Sequence, residues 1–288
     1  LTVRFDPEVQ RAVNAYQLGL LRVPVAGRSG ELLGRGTGAS LEFQEYREYM
    51  PGDDIRHLDW SAYARSDQLM IRLFREEISP RTEVILDGSR SMTVGEGQQK
   101  ARVAKQLAAT FCLMAGQLGG RPALFLVDDR RPAETLSIDG LERLSSYEMS
   151  AVSDLGTALN DGAIPFKRQS VRIVISDFLF PHDPDTLIRK LASEAAALWV
   201  IQVLNRFEQD PSVLGGRRLV DVETGAETDL ILNADRINQY KERLQRLQTS
   251  LARASRRVHA PFVTLVAEKG LLDLCHDELC QSGILRVD

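Results

Sequence analysis

From Thr82 onward the chain alternates short apolar runs with stretches of helical period. The runs "TEVIL" (82–86), "ALFLV" (123–127), "VRIVIS" (171–176), "LWVIQVL" (198–204) and "FVTLV" (262–266) are largely unbroken by polar residues. That is the pattern of strands covered on both faces. Between them, 98–118 places Ala101, Ala104, Leu107, Ala108, Phe111 and Ala115 on one helical face. Helices are also expected over 185–197 and 233–258. The second repeats Ile237, Tyr240, Leu244, Leu247, Leu251, Ala254 and Val258 every three or four residues, a one-sided apolar stripe. Smaller elements are expected at 135–138 (an edge strand), 157–164 (the start of a short helix) and 270–279 (a closing helix). Strands separated by helices of this length build an α/β fold: a doubly wound, mostly parallel sheet flanked by helices.

The first 80 residues read differently. A short helix is expected over 7–18 and strands over 40–49 and 68–74. In the second strand Leu69, Ile71 and Leu73 alternate with Met70, Arg72 and Phe74. The expected organisation is a small β-rich module over 1–80, carrying "PGDDIRHLDW", and an α/β domain over 81–288. Within the latter, "RRLVDVETGAETDLIL" has a turn signal between two apolar arms, so a hairpin-like insertion is expected at about 206–232.

Composition narrows the function classes. With 43% hydrophobic and 26% charged residues the chain is an ordinary globular protein, not a disordered one. A net charge of -4 gives no footprint for nucleic acid. Cys112, Cys275 and Cys280 form no C-x-x-C pair, so a disulfide framework or zinc site is not expected. No apolar run reaches the ~20 residues that span a bilayer, and "LTVRFDPEVQ" is no signal peptide. The expectation is a cytoplasmic protein with no transmembrane segment, able to sit at a membrane through a partner. The chain opens on Leu1, so its natural N-terminus is not assumed to be present. There is no P-loop and no G-x-G-x-x-G, so no nucleotide site is expected.

Candidate chemistry begins at "LDGSRSM", where Asp87, Ser89 and Ser91 follow a strand at alternate positions. A hard cation such as Mg²⁺ takes six oxygens near octahedral geometry, and a carboxylate with two hydroxyls on one loop supplies a facet of that shell. Thr157 in "SDLGTAL" and Asp177 in "VISDF" are expected at neighbouring strand-end loops, where parallel sheets place their ligands. Each residue also has a structural explanation: Ser89 and Ser91 as turn or helix caps, Thr157 as the cap of a helix from Ala158, Asp177 as a turn before Pro181. Their joint occurrence in this order favours a metal site: Asp87, Ser89, Ser91, Thr157 and Asp177.

Those three loops, "VILDGSRSM", "DLGTAL" and "VISDF", resemble the metal-ion-dependent adhesion site (MIDAS) of a von Willebrand factor A-type (vWA) domain. The upstream stretch from Gly36, with "YMPGDDIRHLDW", resembles the signature of the DUF58 family, strongly over 36–177 and by pattern beyond. The resemblance implies a magnesium-binding (or Mn²⁺- or Ca²⁺-binding) protein–protein interaction module with no catalytic residues. It also implies a partner that supplies an Asp or Glu to the metal, expected to be a MoxR-type AAA+ ATPase. By the same resemblance Pro51, Gly52, Asp53, Asp54, Arg56, Asp59 and Trp60 form a structural or partner-facing motif. The residues themselves read that way too: a turn at Pro51-Gly52, a short helix capped by Asp54, and Leu58 and Trp60 pinning that helix to the core. The rival is a metal-dependent hydrolase using Asp53, Asp54, His57 and Asp59. The resemblance departs at Arg90, where many members carry Gly; its side chain is expected to point away from the metal loop.

Overall fold

The computed structural model describes residues 6–19, 41–50, 58–76, 81–120, 122–129, 134–211, 215–220 and 227–287. The chain divides into two compact units, 21–79 and a larger one of 1–20 with 80–288.

The larger unit is built on a six-stranded sheet: β4 (Thr82–Asp87), β5 (Ala123–Val127), β6 (Glu134–Leu136), β7 (Val171–Ser176), β8 (Ala197–Leu204) and β11 (Phe262–Val266). The spatial order is β11-β8-β7-β4-β5-β6. All neighbours are parallel except β6, which closes one edge antiparallel to β5. The chain starts in the middle at β4, winds to one side through β5 and β6, then returns to β7 and winds the other way. Such a sheet has its switch point beside the first strand, between β4 and β7, where ligands bind outside the carboxyl ends. β4, β5 and β7 are buried at every position.

Helices cover both faces. On one lies α3 (Gln99–Gln117), with Ala104, Leu107, Ala108 and Phe111 packed against Leu86, Leu124 and Ile173. On the other, α5 (Pro184–Ala192) and α7 (Ala234–Arg257) cover Ile85, Val174 and Val200 through Ile188, Leu191, Leu251 and Ala254. The apolar stripe of α7 thus faces the sheet. Its start is set by Asn233, whose side chain accepts from the Arg236 N–H.

The expected division at residue 80 needs correction. Residues 6–19 belong to the α/β unit: α1 (Pro7–Ala15) contributes Val9 and Ala12 to the α3-side core, and β1 (Tyr16–Leu18) pairs antiparallel with β12 (Leu285–Val287). The helix expected over 7–18 therefore ends early, because the last three residues exchange helical hydrogen bonds for a ladder with the chain's end. The hairpin expected near 206–232 is present as β9 (Gly215–Val220) and β10 (Glu227–Leu232).

The closing helix also differs. It starts as α8 (Leu271–Leu274) but runs as a π-helix over Cys275–Leu279. In an α-helix residues five apart lie on different faces, but i→i+5 bonding stacks them one turn apart. Cys275 and Cys280 are therefore neighbours rather than opposed. Both are free thiols; burial pushes Cys275 up to about 12 and also raises Cys280.

The smaller unit, in its described residues, is an antiparallel pair, β2 (Leu41–Glu48) with β3 (Met70–Glu76), and α2 (Trp60–Ser66). Pro51, Gly52, Asp53, Asp54, Arg56 and His57 lie outside the described residues.

A candidate metal centre at the sheet switch point

Asp87 is the last residue of β4 and is fully buried. Its Oδ1 accepts from the Ser89 N–H at 3.0 Å and its Oδ2 from the Ser176 hydroxyl at 2.6 Å. The turn between them requires Gly88, because a Cβ there would meet the Val127 carbonyl oxygen at 2.6 Å and the Tyr147 hydroxyl at 2.4 Å. Ser89 precedes a 3₁₀ turn over Arg90–Thr93, but its side chain does not cap it. Instead its hydroxyl shares a hydrogen bond with the Ser91 hydroxyl, Oγ to Oγ 3.0 Å. Two cis ligands of an octahedral Mg²⁺ with bonds near 2.1 Å are about 3.0 Å apart, so this hydroxyl pair matches one octahedral edge.

The loop that leads into the helix of Thr157 runs beside this turn. Ser89 bridges to Ala151 in parallel, and Arg90 N–H and Ala151 N–H bond across to Ala151 and Gly88 carbonyls. Thr157 is not the cap of its helix. That helix, α4 (Leu155–Asn160), is capped by Asp154, whose carboxylate accepts from the Thr157 N–H at 2.7 Å. The Thr157 hydroxyl is thereby released from a capping role. Arg90 turns toward the rim: its Nε donates to the Ser150 carbonyl, and its charge acts on Asp129.

Asp177 follows β7 and is fully buried. Its Oδ1 accepts from the Leu179 N–H at 3.0 Å, the turn foreseen before Pro181. Its Oδ2 takes a charge-assisted bond from Lys100 Nζ at 3.0 Å. The same ammonium donates to Glu208 Oε1 at 2.6 Å. Lys100, on the first turn of α3, has a side chain of 0% exposure. Burial opposes its charge most strongly, but Asp177 and Glu208 outweigh that and its pKa is raised. Glu208 lies on α6 (Arg206–Gln209), where it closes a capping box with Asn205.

Asp87 stands in contrast. No described cation pairs with it; desolvation first, then the charge of Asp177, lift its pKa to about 6. Lys100 thus serves Asp177 and Glu208, and Asp87 is left without a described counter-charge. Among the described residues no group of three or more His, Cys, Asp or Glu is placed to hold a metal. Any metal here relies on hydroxyl oxygens, and the set of Asp87, Ser89 and Ser91 fits a hard cation.

Lys100, Ser176, Gln202 and Glu208 are the site residues that sequence reasoning missed. Two had signals. Gln202 is a polar interruption in "LWVIQVL", and it donates to the Asp177 carbonyl at 2.8 Å. Asn205 and Glu208 show the N-x-x-E spacing of a capping box.

The second acidic motif is only partly described. Asp59 is its helix cap, taking the role expected of Asp54: its carboxylate accepts from Ser61 N–H at 2.9 Å and Ala62 N–H at 3.0 Å. Trp60 does not pin the helix to a core; it is 65% exposed and meets Tyr63 edge-on. Asp59→Ala should cost about 1 kcal/mol locally, read as faster hydrogen exchange at the α2 amides. Unchanged exchange would refute the capping role.

The 3-2-1-4-5-6 strand order makes the larger unit a doubly wound α/β domain, with the candidate centre at the carboxyl ends of its strands. The chain belongs to the family described as "Protein of unknown function DUF58", which matches residues 45–250. It is 25% identical over 278 residues to the uncharacterized protein Rv1480 of Mycobacterium tuberculosis, covering 93% of this chain and 87% of that one. It is 27% identical over 116 residues to the uncharacterized protein MAV169 of Mycobacterium avium, covering 40% and 68%. Among solved structures it is similar to the conserved hypothetical protein BatB from Bacteroides thetaiotaomicron. The TM-score is 0.37 at 13% identity, over 65% of this chain and 90% of that one. An aerotolerance-related membrane protein from Bacteroides fragilis gives 0.32 at 15% identity, over 62% and 96%. In the chain itself no described helix is long and apolar enough to cross a membrane.

Proposed function

We propose that this chain is a metal-dependent protein-interaction module of the adhesion-site type, not an enzyme. Asp87, Ser89 and Ser91 would hold a divalent cation, Mg²⁺ before Mn²⁺ or Ca²⁺, with Thr157 on the first turn of the neighbouring α4 and Asp177 adding negative charge. The observation that carries this reading is Asp87. It is a fully buried carboxylate with no described cation against it, beside two hydroxyls spaced as an octahedral edge. Such a set leaves part of the shell to water. Mg²⁺ gives up water most readily for a charged oxygen, so the natural partner presents an Asp or Glu. The resemblance drawn from the sequence suggests a MoxR-type AAA+ ATPase as that partner, in the cytoplasm. The hydrolase alternative is disfavoured because Asp59, one of its four residues, is committed to backbone capping.

The test is Mn²⁺ binding, followed by electron paramagnetic resonance, alongside binding of a purified MoxR-type ATPase in Mg²⁺ and in chelator. Asp87→Ala should lose the Mn²⁺ and the Mg²⁺-dependent part of the partner binding. Equal Mn²⁺ affinity in variant and wild type would sink the metal site. Equal partner binding in Mg²⁺ and chelator would sink its role in recognition.

A further inference from the structure

We propose that Lys100 is a resident counter-ion that withholds Asp177 from the metal, leaving Asp87 as the only carboxylate ligand and making tight metal binding depend on a carboxylate from outside. This inference rests on the metal reading above and concerns how that site is regulated.

Each oxygen of the two carboxylates bonded to Lys100 already accepts a hydrogen bond. Asp177 gives Oδ2 to Lys100 and Oδ1 to the Leu179 N–H. Glu208 gives Oε1 to Lys100 and Oε2 to the Asn205 N–H. The loops bearing these groups are themselves tied down. Gln202 donates to the Asp177 carbonyl at 2.8 Å, the Tyr240 hydroxyl to the Glu208 carbonyl at 2.7 Å, and Asn205 Nδ2 to the Val94 carbonyl at 2.9 Å. Drawing Asp177 onto a metal through Oδ2 would cost a buried charge-assisted bond and leave the ammonium with Glu208, while Oδ1 is held in its turn by the Leu179 N–H. Asp87 faces no such cost, since its two partners, Ser89 N–H and the Ser176 hydroxyl, are neutral. The site therefore offers the cation one carboxylate and hydroxyl oxygens. Cation affinity rises with the number of charged ligands, so a site of this kind is weak alone and strengthened by an incoming Asp or Glu. Lys100 is thus a positioning residue that sets the charge of the metal shell.

The experiment measures Mn²⁺ affinity and the number of waters on the bound Mn²⁺, from line broadening in ¹⁷O-enriched water, for the full chain. Wild type, Asp177→Asn, Lys100→Met and the double variant are compared. Asp177→Asn should leave the hydration number unchanged, because Asp177 is not in the shell. Lys100→Met frees Asp177, so binding should tighten by about 10-fold with one water fewer, and the double variant should regain that water. A hydration number that rises in Asp177→Asn overturns the proposal. So does tighter binding by Lys100→Met with no water lost, which would be simple removal of a positive charge. Should Lys100→Met fail to fold, the Asp177→Asn arm decides alone. Mn²⁺ binding by Lys100→Met but not by wild type would sink the metal reading of the native chain and uphold the withholding role. Binding by neither sinks both.

Discussion

Arg172→Met is expected to cost the protein about 3–5 kcal/mol of stability while leaving its response to divalent metal intact. Arg172 is the second residue of β7 and 2% exposed. Its Nη1 donates to the Leu191 and Ser193 carbonyls, each at 2.7 Å, and its Nη2 to the Lys167 carbonyl at 3.2 Å. The guanidinium lies 4.1 Å from the centre of the Phe166 ring. Its Nε is 3.5 Å from Glu83 Oε2, an ion pair without a hydrogen bond. Glu83 is wholly buried on β4 and also accepts from Lys167 N–H and the Ser170 hydroxyl. Removing the arginine leaves this carboxylate, among the described cations, with the half-exposed Arg81 and strips the Leu191 and Ser193 carbonyls of that donor. That is the costly way to break a buried pair, because one charge stays behind. Arg172→Met with Glu83→Gln should recover a substantial part of the loss. Urea denaturation in chelator measures both. A loss below about 1 kcal/mol would show the network to be dispensable. The metal response is spared because Glu83 and Asp87 lie four residues apart along one strand, about 13 Å, at opposite ends of the sheet.

The contrast between these two ends explains what the sequence revealed. The strands were legible because a parallel sheet buried on both faces must be written in near-continuous apolar residues, so "ALFLV" and "VRIVIS" are found at their predicted bounds. The positions of Asp87 and Asp177 followed from the strand ends. What did not follow was the state of those carboxylates. Lys100 sits in "GQQKARVAK", which reads as a solvated helix start. Its burial depends on Asp177 and Glu208, 77 and 108 residues further along the chain. No local pattern announces a partner at that separation. Arg172 has the same character, a charge inside an apolar strand whose partners come from three segments. The N-terminal boundary was misplaced for a related reason. Residues 6–19 read as a short helix of the N-terminal module until β1 is paired with β12, about 270 residues further along the chain.

Asp87→Asn should make the protein more stable than wild type at pH 8 in chelator, and insensitive to Mg²⁺. Burial and the nearby Asp177 raise the Asp87 pKa to about 6, above the ordinary carboxylate value near 3.9 in the unfolded chain. The folded state therefore binds this proton more tightly than the unfolded state does. The group's favourable contribution is complete below about pH 4 and is lost as the pH rises through about 6. The roughly two pH units between these values correspond to about 3 kcal/mol of destabilisation from the buried ionised form. The asparagine carries no charge to bury. It forfeits the bond from the Ser176 hydroxyl, worth about 1 kcal/mol, so a net gain of about 2 kcal/mol remains at pH 8. At pH 4.5 that gain should have vanished, because the wild-type carboxyl is then protonated. Urea denaturation of both proteins in chelator between pH 4.5 and 8 measures the convergence. A wild type that is the more stable of the two at pH 8 in chelator would show that Asp87 is adequately neutralised by the protein itself, and the case for a cation at "LDGSRSM" would lose its main support. Adding Mg²⁺ at pH 8 supplies the complementary sign. A ligand at 100 times its Kd stabilises by about 2.7 kcal/mol, enough to bring wild type level with the variant or past it, whereas Asp87→Asn should not move. The carboxylate that burdens the fold without a cation is the group that would bind one, and this opposition of signs separates a metal ligand from a capped turn.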